Sequence, residues 1–232
     1  MSMEKKDIVI YTSWSKGNKS VLDLTHSNKA AYCERHGYQL LEQEEPYSPK
    51  VNVPTLKRLL ESHDLIAMIG ADILIQKPEL SIEYLVSGPY VTYRELSTNS
   101  NFIPFEDNEI PLISGGLSTV QPEIVNGDFL VWSKELLNMP WFFEEFLHSP
   151  KLNYWSTQSY MSYLLRIGAK FLGIIPNLQL APRFYNPHLT YGSEKEEDYF
   201  CLHFHQPLIA PNIPSKARAI SEYLEKHPEL SK

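Results

Sequence analysis

Residues Leu65–Ile69 read Leu-Ile-Ala-Met-Ile, five apolar residues with no polar break. A strand with one wet face alternates apolar and polar residues. An unbroken run of this length fits a strand covered on both faces, as in a parallel sheet between layers of helices. The preceding chain extends that pattern. Asp7 to Thr12 reads as a first strand, ended by Ser13, Ser15, Gly17 and Asn18. Ser20 to His36 reads as a helix, with Val21, Leu24, Ala31, Tyr32 and Arg35 near one stripe and Gly37 as its stop. Tyr38 to Leu41 reads as a second strand, and Pro54 to Ser62 as a helix with Leu56, Leu59 and Leu60 on its apolar side. Strand–helix–strand–helix–strand predicts an α/β fold with parallel strands joined by crossover helices.

The rest of the chain is less regular. Val86 to Tyr93 and Phe129 to Trp132 read as strands, with a helix-like run from Ser133. Ser97 to Gly116 reads as a polar loop, with Pro104, Pro111 and a Gly115–Gly116 pair. Thr157 to Arg166 reads as a helix, Lys170 to Ile175 and Asp198 to His205 as strands, and Ser215 to His227 as a C-terminal helix. No internal repeat or low-complexity tract interrupts this. The expectation is a single α/β domain over residues 1–232, with a mixed, mostly parallel central sheet flanked by helices. Its first half, to about residue 95, would bind a ligand by its strand ends, and the half from about 96 to 210 would complete the site.

Composition limits the partners. At 43% hydrophobic and 21% charged residues the chain has an ordinary globular mix. Lys+Arg number 21 against Asp+Glu 28, a net charge of −7 with no basic tract, which argues against nucleic acid and anionic membranes. Cys33 and Cys201 lie far apart and form no metal-binding spacing, so they read as buried free thiols. No run of apolar residues is long enough to span a membrane, and a soluble, cytoplasmic protein is expected.

Four groups of residues could carry chemistry. Asp72, in Gly70-Ala71-Asp72, follows the buried strand, where open α/β sheets bind ligands; an Asp there also commonly satisfies turn amides. His203 and His205 fall on one face of the last strand, with Phe200, Leu202 and Phe204 on the other. Such a pair could serve one metal ion, or be one core and one surface histidine. Asn126-Gly127-Asp128 precedes an apolar strand and reads either as a turn or as a close approach to sugar hydroxyls. Gln158 lies near a helix N-terminus, where it could face a ligand or simply cap. The Gly-rich phosphate loops, the HExxH helix and the GxSxG elbow are all absent.

Taken in order, these segments resemble a GT-A glycosyltransferase of the galactosyl-, xylosyl- and mannosyltransferase layout. Asn28 to Tyr38 (NKAAYCERHGY) resembles an early segment of that family, and Leu60 to Asp72 its helix–strand run ending in the DxD motif. Asn126 to Trp132 (NGDFLVW), Thr157-Gln158 and Leu202-His203-Phe204 are similar to three later segments. The resemblance implies a UDP- or GDP-sugar donor and a glycan or other hydroxyl acceptor. It places the nucleotide at Tyr11, Thr12 and Ser13, with Asp72, Asn126 and Gly127 also binding the donor. Asp72, His203 and His205 would hold Mn2+ or Mg2+, and Asp128 and Gln158 would lie at the reacting sugar. One departure stands out: Gly70 replaces the first acid of DxD. Either one Asp with His203 suffices, or His205 or Asp128 substitutes, or the chain is a silent nucleotide-sugar-binding module.

Overall fold

The computed structural model describes residues 6–46, 49–85, 90–94, 125–138, 143, 184–185, 200–204 and 215–231. Five strands form the main sheet: β1 (Ile8–Trp14), β2 (Gln39–Glu44), β3 (Leu65–Ile69), β5 (Tyr90–Arg94) and β6 (Val125–Ser133), in the order β2-β1-β3-β6-β5. β1 runs parallel to both β2 and β3, β6 is antiparallel to β3, and β5 is antiparallel to β6. Thus β2, β1, β3 and β5 share one direction and β6 opposes them. A smaller sheet holds β4 (Ile73–Ile75), β8 (Cys201–His203) and β7 (Phe184–Tyr185), in the order β4-β8-β7. The helices are α1 (Lys19–His36), α2 (Pro49–Ser62), the short α3 (Ile82–Leu85) and α4 (Lys216–Lys226). None is long and apolar enough, among the described residues, to cross a membrane.

Strand alternation explains the layers. Ile8 and Ile10 of β1, Leu65, Ala67 and Ile69 of β3, and Phe129 and Val131 of β6 share one buried cluster with Tyr32 and Cys33 of α1. Val9 and Tyr11, Ile66 and Met68, and Leu130 and Trp132 point the other way, into a cluster with Val53, Leu56 and Leu60 of α2. Period-two side chains buried on both faces are what a helix-covered central sheet requires. A third cluster joins Val21 and Leu22 of α1 to Ala71, Leu74, Leu202 and Phe204, and to Ala219 and Ile220 of α4. This last cluster carries the residues of the candidate site. Cys33 and Cys201 are buried and free, as expected, and burial pushes the Cys33 thiol up to about 12.

Several local expectations change. The buried stripe of α1 is Val21, Leu22, Thr25, Asn28, Lys29, Tyr32 and Cys33, while Arg35 is exposed and Leu24 and Ala31 are half-buried. Three of the inward residues are polar, so hydrophobic spacing alone misplaces the face. α2 begins at Pro49, with Pro54 inside it rather than at its start. Asn126-Gly127-Asp128 lies within β6 and not in a turn before it. Pairing with β5, which is irregular between Thr92 and Arg94, outweighs the local Asn-Gly signal. The run after Ser133 is a 3-10 turn, Lys134–Asn138, not a longer helix.

The strand expected over residues 86–93 is found at Tyr90–Arg94, with residues 86–89 outside the described ones. The strand expected over residues 198–205 has its described part at Cys201–His203. Phe200 packs with Cys201 in the first cluster, apart from Leu202 and Phe204, because it precedes the regular strand. β4 and β7 are too short for a periodicity to reveal. The loop at 97–116, the helix at 157–166 and the strand at 170–175 lie outside the described residues.

Candidate active site

Because β1, β2 and β3 are parallel, their carboxyl ends open on the same edge of the sheet. Ligands of open α/β sheets bind at such an edge. Here the Thr12 hydroxyl donates to the Ile69 carbonyl at 2.9 Å, tying the end of β1 to the end of β3. Beside it lies a buried polar cluster centred on Glu45, just past β2. Its carboxylate accepts from the Tyr11 hydroxyl, from Thr55 Oγ1 at 2.9 Å and from Asn52 Nδ2 at 3.3 Å. Asn52 Nδ2 also lies 3.3 Å from Ser13 Oγ. Burial and then the Glu45 carboxylate push the Tyr11 phenol far above its ordinary range, so Tyr11 serves only as a neutral donor.

Chain reversal after β3 places Gly70, Ala71 and Asp72 at this edge. The Ile73 amide donates to the Gly70 carbonyl at 3.2 Å. From α1, Thr25 Oγ1 donates to the Ala71 carbonyl at 2.6 Å. The Lys29 ammonium lies 2.7 Å from Thr25 Oγ1 and 3.4 Å from the same carbonyl. On the other side, the Phe204 amide donates to the Asp72 carbonyl at 3.0 Å. The backbone carrying Asp72 is therefore held by a helix and by the end of β8. Lys29 is fully buried, and that burial lowers it to about 8 against the opposing pull of the Asp72 charge.

Two side chains meet the Asp72 carboxylate. β8 pairs with β4 so that His203 stands opposite Ile73, which brings His203 Nε2 to 3.7 Å from Asp72 Oδ1. The Lys216 ammonium, from the first turn of α4, contacts Asp72 Oδ2. Burial by itself would raise the Asp72 pKa; the charges of His203 and Lys216 overcome it and hold the carboxyl well below the usual range. Asp72 is thus a buried, ionised carboxylate.

The expected site residues fall into three groups. Asp72 and His203 are brought together as the sequence suggests. Tyr11 and Thr12 are buried and shape the edge from behind, while Ser13 is half-buried at its rim. Asn126, Gly127 and Asp128 are described only as backbone within β6, and Gln158 and His205 lie outside the described residues. Sequence reasoning missed Thr25, Lys29, Glu45, Asn52, Thr55 and Lys216. For Lys216 a signal exists: with Ala219, Ile220 and Tyr223 it follows the i, i+3, i+4, i+7 spacing of one helix face.

As a metal site this arrangement fits poorly. Asp72 and His203 could contribute two donors, but Lys216 already engages Asp72 and Gly70 offers no side-chain donor. Among the described residues no three of His, Cys, Asp and Glu cluster to hold an ion. A divalent cation such as Mn2+ favours about six, mostly oxygen, ligands.

No protein-family model matches the chain, and no curated protein matches it in sequence. Solved structures do. A glycosyltransferase involved in glycosylating the major capsid protein of PBCV-1 matches 95% of this chain and 99% of its own, with TM-score 0.55 and 12% identity. The galactosyltransferase LgtC, solved with donor and acceptor sugar analogues, matches 96% of this chain and 95% of its own, with TM-score 0.51 and 10% identity. At such identities the likeness speaks to architecture, and the fold of this chain is the α/β fold of GT-A glycosyltransferases.

Proposed function

We propose that this chain transfers a sugar from a nucleotide-diphosphate sugar to a hydroxyl acceptor. The observation that carries the reading is the ionised Asp72 between His203 and Lys216, at the carboxyl edge of the parallel strands on this fold. In the reaction the bond from the anomeric carbon to the β-phosphate oxygen breaks, and the nucleoside diphosphate leaves with the bonding pair. The acceptor oxygen bonds to the anomeric carbon and gives up its proton. Negative charge grows on the leaving diphosphate, so a cation fixed at that point lowers the barrier. A chain of net charge −7 lacks surface basicity for this, so the cation must be local.

The remaining assignments rest on the family resemblance. Ser13 at the rim, with Tyr11 and Thr12 behind it, would line the nucleotide site. Asn126 and Gly127 would approach the donor, and Asp128 and Gln158 would stand at the reacting sugar. Mn2+ or Mg2+, with His205 as a further ligand, also rests on the resemblance, since the described residues fit such an ion poorly; no step here depends on it.

Identifying the nucleotide product tests the reading. Incubation with UDP- and GDP-sugars, with and without Mn2+ and simple hydroxyl acceptors, should release nucleoside diphosphate from one donor, slowly to water and faster to an acceptor. Nucleoside monophosphate as product would indicate attack at phosphorus instead. Binding of a donor with no turnover under any condition would indicate a silent binding module. Either result overturns the proposal.

A further inference from the structure

Lys216 is on the wrong end of its helix for simple electrostatics. The N-terminal turn of a helix is its positive end and disfavours a cation. Yet Lys216 occupies the first position of α4, after the Ser215 cap whose hydroxyl accepts from the Arg218 amide. It is also on the packed face: three and four residues on, Ala219 and Ile220 are buried against Ala71, Leu74, Leu202 and Phe204. Tyr223, a further turn along, sets its ring 5.5 Å from that of Phe204. α4 is held in turn by Asn28, which bonds both backbone groups of Ile75 and donates to the Leu230 carbonyl at 3.0 Å, just past the helix. The fold thus delivers one ammonium to one carboxylate oxygen from across 144 residues of sequence.

Charge balance gives this contact a meaning. A pair of acids with a divalent cation is neutral. Here one acid is replaced by Gly70, and the surviving acid carries a cation of charge one, which is again neutral. Lys216 has three N–H donors, and its side chain is 26% exposed, so donors remain for the oxygens of an arriving anion. We propose that the Lys216 ammonium takes the place at Asp72 that a divalent ion would otherwise fill, so that a nucleoside diphosphate binds here without metal. Asp72 then acts as a positioning residue that aims Lys216, with His203 closing its other side. This inference rests on the proposed nucleotide-sugar donor.

Two binding measurements on the full chain test it. In the first, Mn2+ is titrated into the protein, alone and with UDP or GDP, and its free fraction is read by electron paramagnetic resonance. In the second, UDP and GDP are titrated calorimetrically in EDTA and in Mn2+. The wild-type chain should leave Mn2+ free, and nucleotide affinity should change by less than about twofold between EDTA and Mn2+. Lys216→Met should weaken binding in EDTA by about tenfold or more, and Lys216→Arg should recover part of the loss. Capture of Mn2+ by the wild-type chain, or a gain in its nucleotide affinity of about tenfold or more with Mn2+, overturns the inference. Both comparisons need only the wild-type protein, so a poorly folded variant does not obscure them. If neither nucleotide binds under any condition, the donor reading fails. The Mn2+ titration still decides between lysine and metal at Asp72.

Discussion

Asp72→Ala should lose about 3–5 kcal/mol of stability and lower donor turnover by about a hundredfold or more. The stability loss follows from what remains behind. Removing one member of a buried ion pair strands the other charge, and here two groups are stranded, the Lys216 ammonium and the His203 ring. At an effective dielectric constant of about 20, charges about 4 Å apart interact by about 4 kcal/mol, and desolvation offsets part of that. The double variant Asp72→Ala, Lys216→Met should recover much of the stability, since it removes both charges, but none of the turnover. Urea unfolding of the two single variants and the double variant gives the coupling directly. Additive losses would show that the contact contributes nothing to the fold.

Glu45→Ala should be comparably destabilising, at about 3–5 kcal/mol, through a different mechanism. Glu45 is the common acceptor for Tyr11, Asn52 and Thr55, all of them buried. Alanine leaves donors from β1 and α2 with no partner in a place water does not fill, and each such donor costs about 1–3 kcal/mol. Glu45→Gln keeps one acceptor oxygen, and the hydroxyls of Tyr11 and Thr55 can turn to accept from its amide, so its cost should be about 1–2 kcal/mol. The same urea titrations read both values. Equal losses for Ala and Gln would show that the charge of Glu45, and not its acceptor geometry, holds the cluster. The cluster also sets the rim at Ser13 through Asn52, so Glu45→Ala should weaken nucleotide binding as well.

What was legible in the sequence was local. The run Leu65–Ile69 announces a strand buried on both faces, and every residue in it is buried. Gly37 announces the end of α1, and it caps the helix in the left-handed region at φ 69°. Asp72 and His203 could be nominated because each stands at the end of, or on, a short apolar strand; the β4–β8 register then makes them neighbours.

What was not legible depends on partners distant in sequence. Glu45 ends an acidic stretch, Glu42-Gln43-Glu44-Glu45, that reads as solvated surface, yet it turns inward because α2 brings Asn52 and Thr55 to meet it. Thr25, Asn28 and Lys29 look like a polar face of α1. They face inward because the carbonyls of Ala71, Ile75 and Leu230 need donors there. Lys216 gains its role only when the C-terminal helix folds back onto the turn at Asp72. The missing acid at Gly70 was visible from the start as a deficit of charge; the fold shows where a single positive charge stands in answer to it.

The central claim is that a nucleotide-sugar donor sits at the carboxyl ends of β1 and β3 with its diphosphate at Lys216. A crystal structure of the chain with a bound UDP- or GDP-sugar measures this directly. The account predicts the nucleotide along Ser13 and a phosphate oxygen within about 3 Å of the Lys216 ammonium, which keeps its contact with Asp72. A donor bound elsewhere, or one whose diphosphate leaves Lys216 untouched, would contradict it.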